Sequence, residues 1–132
     1  MPATLVDTSV LLDVLVEGAA HGDESEARLM AAARAGQLLI NDVIAAELAP
    51  TFESEAALWA TLAEAQIQLV AFPRAGIYIA GQAFLRYRRR GGGRHRILPD
   101  FLIGAHAVAS GVRLLTRDRD FFRDYFPRLR LR

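Results

Sequence analysis

Apolar residues along this chain come in short blocks, and two different periods govern what lies between them. The blocks at Thr4–Val6, Leu38–Ile40, residues 67–72 and residues 112–116 are nearly uninterrupted, as in buried strands. Each is followed at once, or within two residues, by a cap or breaker: Asp7, Asn41 or Asp42, Pro73, Asp118. Helical spacing fills the intervals. Residues 9–16 are apolar nearly all round, which predicts a short buried helix. Residues 24–35 place Ala27, Met30, Ala31 and Arg34 in register, with Gly36 as the C′ residue. A helix over residues 42–48 is interrupted by Pro50, and Ser54 caps another that reaches Ala65. Residues 75–90 form a long helix with Ile79, Ala83, Phe84 and Tyr87 on one side. Gly91-Gly92-Gly93 breaks it, and Leu98-Pro99-Asp100 starts the next, which ends at Gly111. A short helix from Asp118 to Tyr125 precedes Pro127, and Leu129-Arg130-Leu131 alternates like a last edge strand. Strands alternating with helices predict an α/β fold on a mainly parallel sheet. The loops are too short for a second domain, so residues 1–132 read as one.

Composition narrows this. The apolar fraction is 52% but aromatics are only 8%, so the core should be mainly aliphatic and alanine. No stretch of about 18 apolar residues occurs, and none predicts a membrane span. Met1-Pro2-Ala3-Thr4 carries no charged leader, and Asp7 and Asp13 interrupt the apolar residues beyond it. The expectation is no secretory signal and a cytoplasmic protein. The absence of cysteine excludes disulfides and thiolate metal sites. All sixteen basic residues are arginine. Without lysine, a P-loop and a Schiff base are excluded. Fourteen arginines lie from Arg74 onward, against four of the fifteen acids, which points to an anionic partner for the second half.

Four acids stand at element junctions or on predicted buried faces. Asp7 ends the first strand. Glu47 lies four residues after Val43 and three after Ile44, on an apolar side. Asp100 is in the first turn of its helix, with Gly104 and Ala107 offering a smooth side for close backbone approach. Asp118 follows the fourth strand. Singly, each has a structural reading, since aspartate is common at helix caps and favoured by the helix dipole. Jointly, a parallel sheet brings Asp7 and Asp118 to its carboxyl edge, and a helix running back along the sheet begins there with Asp100. Ionised acids gathered at one edge need a cation, and an all-oxygen set selects Mg²⁺ or Mn²⁺. Such a site suits phosphodiester or phosphate-ester hydrolysis, leaving nuclease and phosphatase open. The haloacid-dehalogenase pattern is not met, because Ser9 stands where a second aspartate is needed. The receiver-domain pattern lacks its lysine.

Four segments then carry a resemblance: Val6-Asp7-Thr8-Ser9-Val10-Leu11-Leu12-Asp13, Val43-Ile44-Ala45-Ala46-Glu47-Leu48, residues 98–107 beginning Leu98-Pro99-Asp100, and residues 114–121 containing Thr116-Arg117-Asp118. In this order, over residues 4–122, the chain resembles PIN-domain ribonucleases, and among them the VapC-type toxins of toxin–antitoxin pairs. The resemblance implies a PIN-like α/β sandwich with a central, mainly parallel five-stranded sheet flanked by helices. It implies Asp7, Glu47, Asp100 and Asp118 as catalytic ligands of Mg²⁺ or Mn²⁺, with Ser9 supporting Asp7, and Thr116 and Asp120 as further supporting residues. Asp13 is secondary. The family acts on RNA, is usually dimeric, and is blocked by a cognate VapB-type antitoxin, in some cases within a larger toxin–antitoxin assembly. The alternatives are a PIN nuclease of RNA processing or DNA, and a non-catalytic nucleic-acid-binding PIN module.

Arg86, Arg88, Arg89, Arg90, Arg94 and Arg96 surround the three glycines, with Tyr87 and His95 interleaved. Arginine forks phosphate, so this stretch reads as an RNA-backbone contact, or a seat for an acidic antitoxin segment. A solvated helix end is the plainer reading. His106, six residues after Asp100, reads as structural or exposed. His21 and His95 have no ligand spacing. Leu58, Trp59 and Leu62 are core positions or a partner-facing helix side.

Overall fold

A computed structural model describes residues 2–132; Met1, where the leader reading begins, lies outside them. The element order is β1 (Thr4–Val6), α1 (Thr8–Leu15), α2 (Gly22–Ala35), β2 (Leu38–Ile40), α3 (Asp42–Leu48), a 3₁₀ turn (Ala49–Thr51), α4 (Glu55–Glu64), β3 (Ile67–Leu69), α5 (Arg74–Arg89), α6 (Leu98–Ser110), β4 (Arg113–Leu115) and α7 (Arg119–Tyr125). The strands form one sheet in the order β3-β2-β1-β4, and every pairing is parallel. Short apolar triplets suffice because helices cover the sheet: β1 and β2 are buried throughout.

The expected fifth strand shrinks to a single parallel bridge. Leu114 donates its N–H to the Arg130 carbonyl at 3.0 Å and accepts from the Arg132 N–H at 2.9 Å, around the Leu114–Leu131 pairing. The chain turns at Pro127 and Arg128, and pairing is confined to this bridge close to Arg132. The third strand also stops early, at Leu69, before the extended residues that lead to Pro73.

Chain order locates the functional edge. β1, β2 and β3 step outward in one direction, and the chain then crosses back to lay β4 on the other side of β1. This reversal opens a crevice between the carboxyl ends of β1 and β4, where open α/β sheets hold their ligands. The residues immediately beyond those ends are Asp7 and Thr116.

The core is aliphatic over the sheet but aromatic beneath α6. Phe101 is fully buried, with Phe84, Tyr87, Phe121 and Tyr125 at centroid distances of 5.1, 5.5, 5.2 and 5.9 Å. The smooth side of α6 receives a ring rather than a backbone: a Cβ on Gly104 would lie 2.5 Å from the Phe126 ring. Phe101 thereby anchors the first turn of α6, which carries Asp100. Among the described residues, no helix is long and apolar enough to cross a membrane.

Candidate active site

Two of the acids sit where a helix cap would, yet neither is used as one. Asp7 and Asp118 occupy the N-cap positions of α1 and α7 without any side-chain capping bond. Asn41 and Ser54 show what capping looks like in this chain: they accept from the backbone N–H groups of Ile44 and Ala57 at 2.9 and 3.1 Å. The Asp7 carboxylate is instead held by side chains. It is 8% exposed, and its Oδ2 accepts from the hydroxyls of Thr116 at 2.7 Å and Ser9 at 2.9 Å. Hydroxyls on a charged acceptor contribute about 1.5–3 kcal/mol each, enough to keep a buried carboxylate in one orientation.

Thr116 does two things. Its hydroxyl donates to Asp7 and accepts the Asp118 backbone N–H at 3.0 Å. Being fully buried, it fixes the turn that brings Asp118 back beside β1. The Asp118 carboxylate then pairs with the Arg96 guanidinium, which lies 4.2 Å over the Phe121 ring. On the other side, Thr8 donates to Glu47 Oε1 at 2.6 Å. Glu47 itself is exposed rather than buried. The α3 helix has seven residues, and its buried side is carried by Ile44, Ala45 and Leu48. Asp100 is half-buried, and its Oδ2 accepts the Ile97 N–H at 3.2 Å, closing the start of α6.

Burial pushes the Asp7 carboxyl above its ordinary 3.8; the Thr116 and Ser9 hydroxyls and the Thr8 backbone N–H pull it back, and the neighbouring Glu47 charge adds to the rise. Asp13 goes the other way. Burial raises it, but the Ser25 hydroxyl at 2.6 Å and the Arg117 guanidinium at 2.5 Å outweigh that and hold it below the usual range. Asp13 is thus occupied in tying α1 to α2 and to the end of β4. Asp120 points to solvent and meets only Arg123, at 3.5 Å.

The six arginines divide. Arg86 donates to the Tyr125 carbonyl at 3.0 Å, while Arg88 and Arg90 lie over the rings of Phe84 and Tyr125. Arg89 and Arg94 are exposed, and Arg96 alone of the six pairs with an acid. A cleft of about 520 Å³ runs between Tyr87, Arg88, Arg94, Arg96 and Ile97. His106, read as structural or exposed, is 1% exposed, and its Nδ1 lies 3.0 Å from the Asn41 amide nitrogen. Thr8 and Arg117 were not singled out by the sequence. Thr8 follows the first aspartate directly, and a hydroxyl in the first turn of a helix beneath a sheet edge was the available signal.

Asp7, Glu47, Asp100 and Asp118 are an all-oxygen donor set on one edge, and a lone arginine supplies positive charge there. By type, this set fits a hard divalent cation. Among the described residues, no three acids or imidazoles stand close enough together to hold an ion between them. The edge as it stands is an open set in which Arg96 pairs one acid, Asp118.

A family model for the PIN domain matches residues 4–126. No curated protein matches the sequence. The fold is similar to that of VapBC2 from Rickettsia felis bound to a DNA fragment from its promoter, with 19% identity, TM-score 0.73, and 98% and 97% of the two chains covered. It is similar to VapBC-1 from nontypeable Haemophilus influenzae, with 16% identity, TM-score 0.72, and 98% and 96% covered. A third neighbour is VapC20 of Mycobacterium tuberculosis, a sarcin-ricin loop cleaving toxin, with 19% identity, TM-score 0.63, and 96% and 98% covered. At these identities the likeness is one of fold.

Proposed function

We propose that this chain, which belongs to the PIN-domain family, is a divalent-metal-dependent endoribonuclease and the toxin of a VapBC-type pair. The observation that carries the reading is the treatment of Asp7. A buried carboxylate at the sheet's reversal point is spared from capping and oriented by two hydroxyls, one of which also sets Asp118. Asp7, Glu47, Asp100 and Asp118 would hold Mg²⁺ or Mn²⁺. A cation bound there supplies charge to activate water and to stabilise the departing phosphodiester oxygen.

The chain's own residues do the rest. Ser9 and Thr116 keep the Asp7 carboxylate from rotating, and Thr8 does the same for Glu47. Asn41 ties α3 to α6 through His106, so the helices carrying Glu47 and Asp100 keep their spacing. The exposed Arg89 and Arg94, with Arg88 at the cleft, fit an RNA backbone. VapBC complexes among the structural neighbours support a VapB-type antitoxin as partner and a cytoplasmic site of action. The apolar cleft of about 570 Å³ around Phe52, Leu58 and Trp59 suits that partner or a second copy in a homodimer.

Purified protein incubated with total RNA is expected to cut it, to stop in EDTA, and to resume with Mg²⁺ or Mn²⁺. Asp7→Asn should abolish cleavage with the fold intact. Full cleavage by that variant, or cleavage indifferent to EDTA, would overturn the reading.

A further inference from the structure

We propose that Arg96 is the built-in counter-ion of the acidic edge, holding by its guanidinium the charge position that a divalent cation must take over. The proposal rests on the metal-dependent reading above and gives Arg96 a task separate from the arginines around it.

Three observations converge on Arg96. First, it is the only one of the six arginines in its stretch that reaches an acid, and that acid is Asp118. Second, the Asp100 charge acts on the Arg96 guanidinium in the same sense as that of Asp118, though Asp118 alone is in contact with it. Third, it is seated: its side chain is 26% exposed, and its guanidinium lies over the Phe121 ring at 4.2 Å, at the mouth of the crevice. Among the described residues, the acids themselves are not drawn into a group of three. Like charges at one edge repel, and Arg96 on Asp118 offsets one of the four carboxylate charges in the folded chain. Incoming M²⁺ would meet a resident positive charge, so binding requires Arg96 to leave Asp118. The motion required is one of the Arg96 side chain, which is 26% exposed; the glycine turn before it is itself held, with the Tyr87 hydroxyl donating to the Gly93 carbonyl at 2.9 Å.

The alternative role predicts the opposite sign. Were Arg96 a brace that holds Asp118 ready for the ion, its loss would weaken metal binding. Mn²⁺ titration of the metal-free protein, followed by electron paramagnetic resonance and calorimetry, separates the two without measuring cleavage. Arg96→Gln is expected to bind Mn²⁺ about tenfold more tightly than wild type, and Arg96→Lys, which keeps the charge, within about threefold of it. Arg96→Met keeps an apolar stem against Phe121 and should behave as Arg96→Gln; it decides the matter if the glutamine variant fails to fold. Equal or weaker Mn²⁺ binding by the neutral variants, with wild type still binding, overturns the counter-ion role and leaves the nuclease reading standing. No Mn²⁺ binding by any of the proteins overturns both.

Discussion

The buried His106–Asn41 pair makes a prediction whose sign follows from geometry. Asn41 Oδ1 is committed to the Ile44 N–H at 2.9 Å, so the nitrogen of its amide faces His106. An amide nitrogen only donates, so His106 Nδ1, 3.0 Å away, must be the bare acceptor and the ring proton must sit on Nε2. Protonation would set two donors against each other in a site that is 1% exposed, beside the edge of Phe72 at 5.3 Å. Burial accordingly holds the imidazole below its ordinary 6.5. For a histidine with a depressed folded pKa, the stability is fully present above the unfolded value. It is lost as pH falls below that value, at no more than about 1.4 kcal/mol per pH unit. His106→Asn supplies an oxygen near the Nδ1 position but leaves ring-sized space, which costs about 2–4 kcal/mol at pH 7.5. The variant does not titrate, so its deficit against wild type should shrink between pH 7.5 and pH 5.5, within the limit of about 1.4 kcal/mol per pH unit. Urea unfolding of both proteins at both pH values measures this. A deficit that stays constant, or grows on acidification, would refute the tautomer and the burial effect together.

Three further outcomes are expected. Thr116→Val removes a hydroxyl bonded on both sides. It should lower kcat about tenfold or more and cost about 1–3 kcal/mol of stability through the Asp118 N–H left unpaired, read by steady-state kinetics and thermal melts. Gly104→Ala drives a methyl into the Phe126 ring, at 2.5 Å, and should destabilise by about 1–3 kcal/mol in denaturant titrations. Replacing Arg89 and Arg94 with glutamine should weaken RNA binding across sequences and reduce the slope of log affinity against log salt by about one to two, with Mn²⁺ affinity unchanged.

The sequence made legible whatever local chemistry decides. The strand triplets, the caps at Asn41 and Ser54 and the stop at Gly111 (φ +66°) depend on neighbouring residues alone. Putting Asp7 and Asp118 on one edge required only parallel strands. Side-chain partners across long separations were not legible. Asp118 has the local pattern of a cap, and only the fold brings Arg96 to its carboxylate. Glu47 has the spacing of a buried residue, but the seven-residue helix turns Ile44, Ala45 and Leu48 inward and leaves its acid outside. His106 shows no polar partner in sequence because Asn41 lies 65 residues earlier. The low aromatic fraction conceals that the aromatics gather around one residue, Phe101.

The bond from Thr116 to Asp7 spans 109 residues, and that from Arg117 to Asp13 spans 104. A ribosome therefore delivers the first acid of this edge long before the hydroxyl that orients it. β1 must wait, unpaired on one side, until β4 has been made. No N-terminal portion of the chain, however well its early helices form, contains the assembled edge. In an emerging polypeptide of this kind Asp7, Glu47 and Asp100 are all present before the last strand is in place, but the edge that orients Asp7 is not.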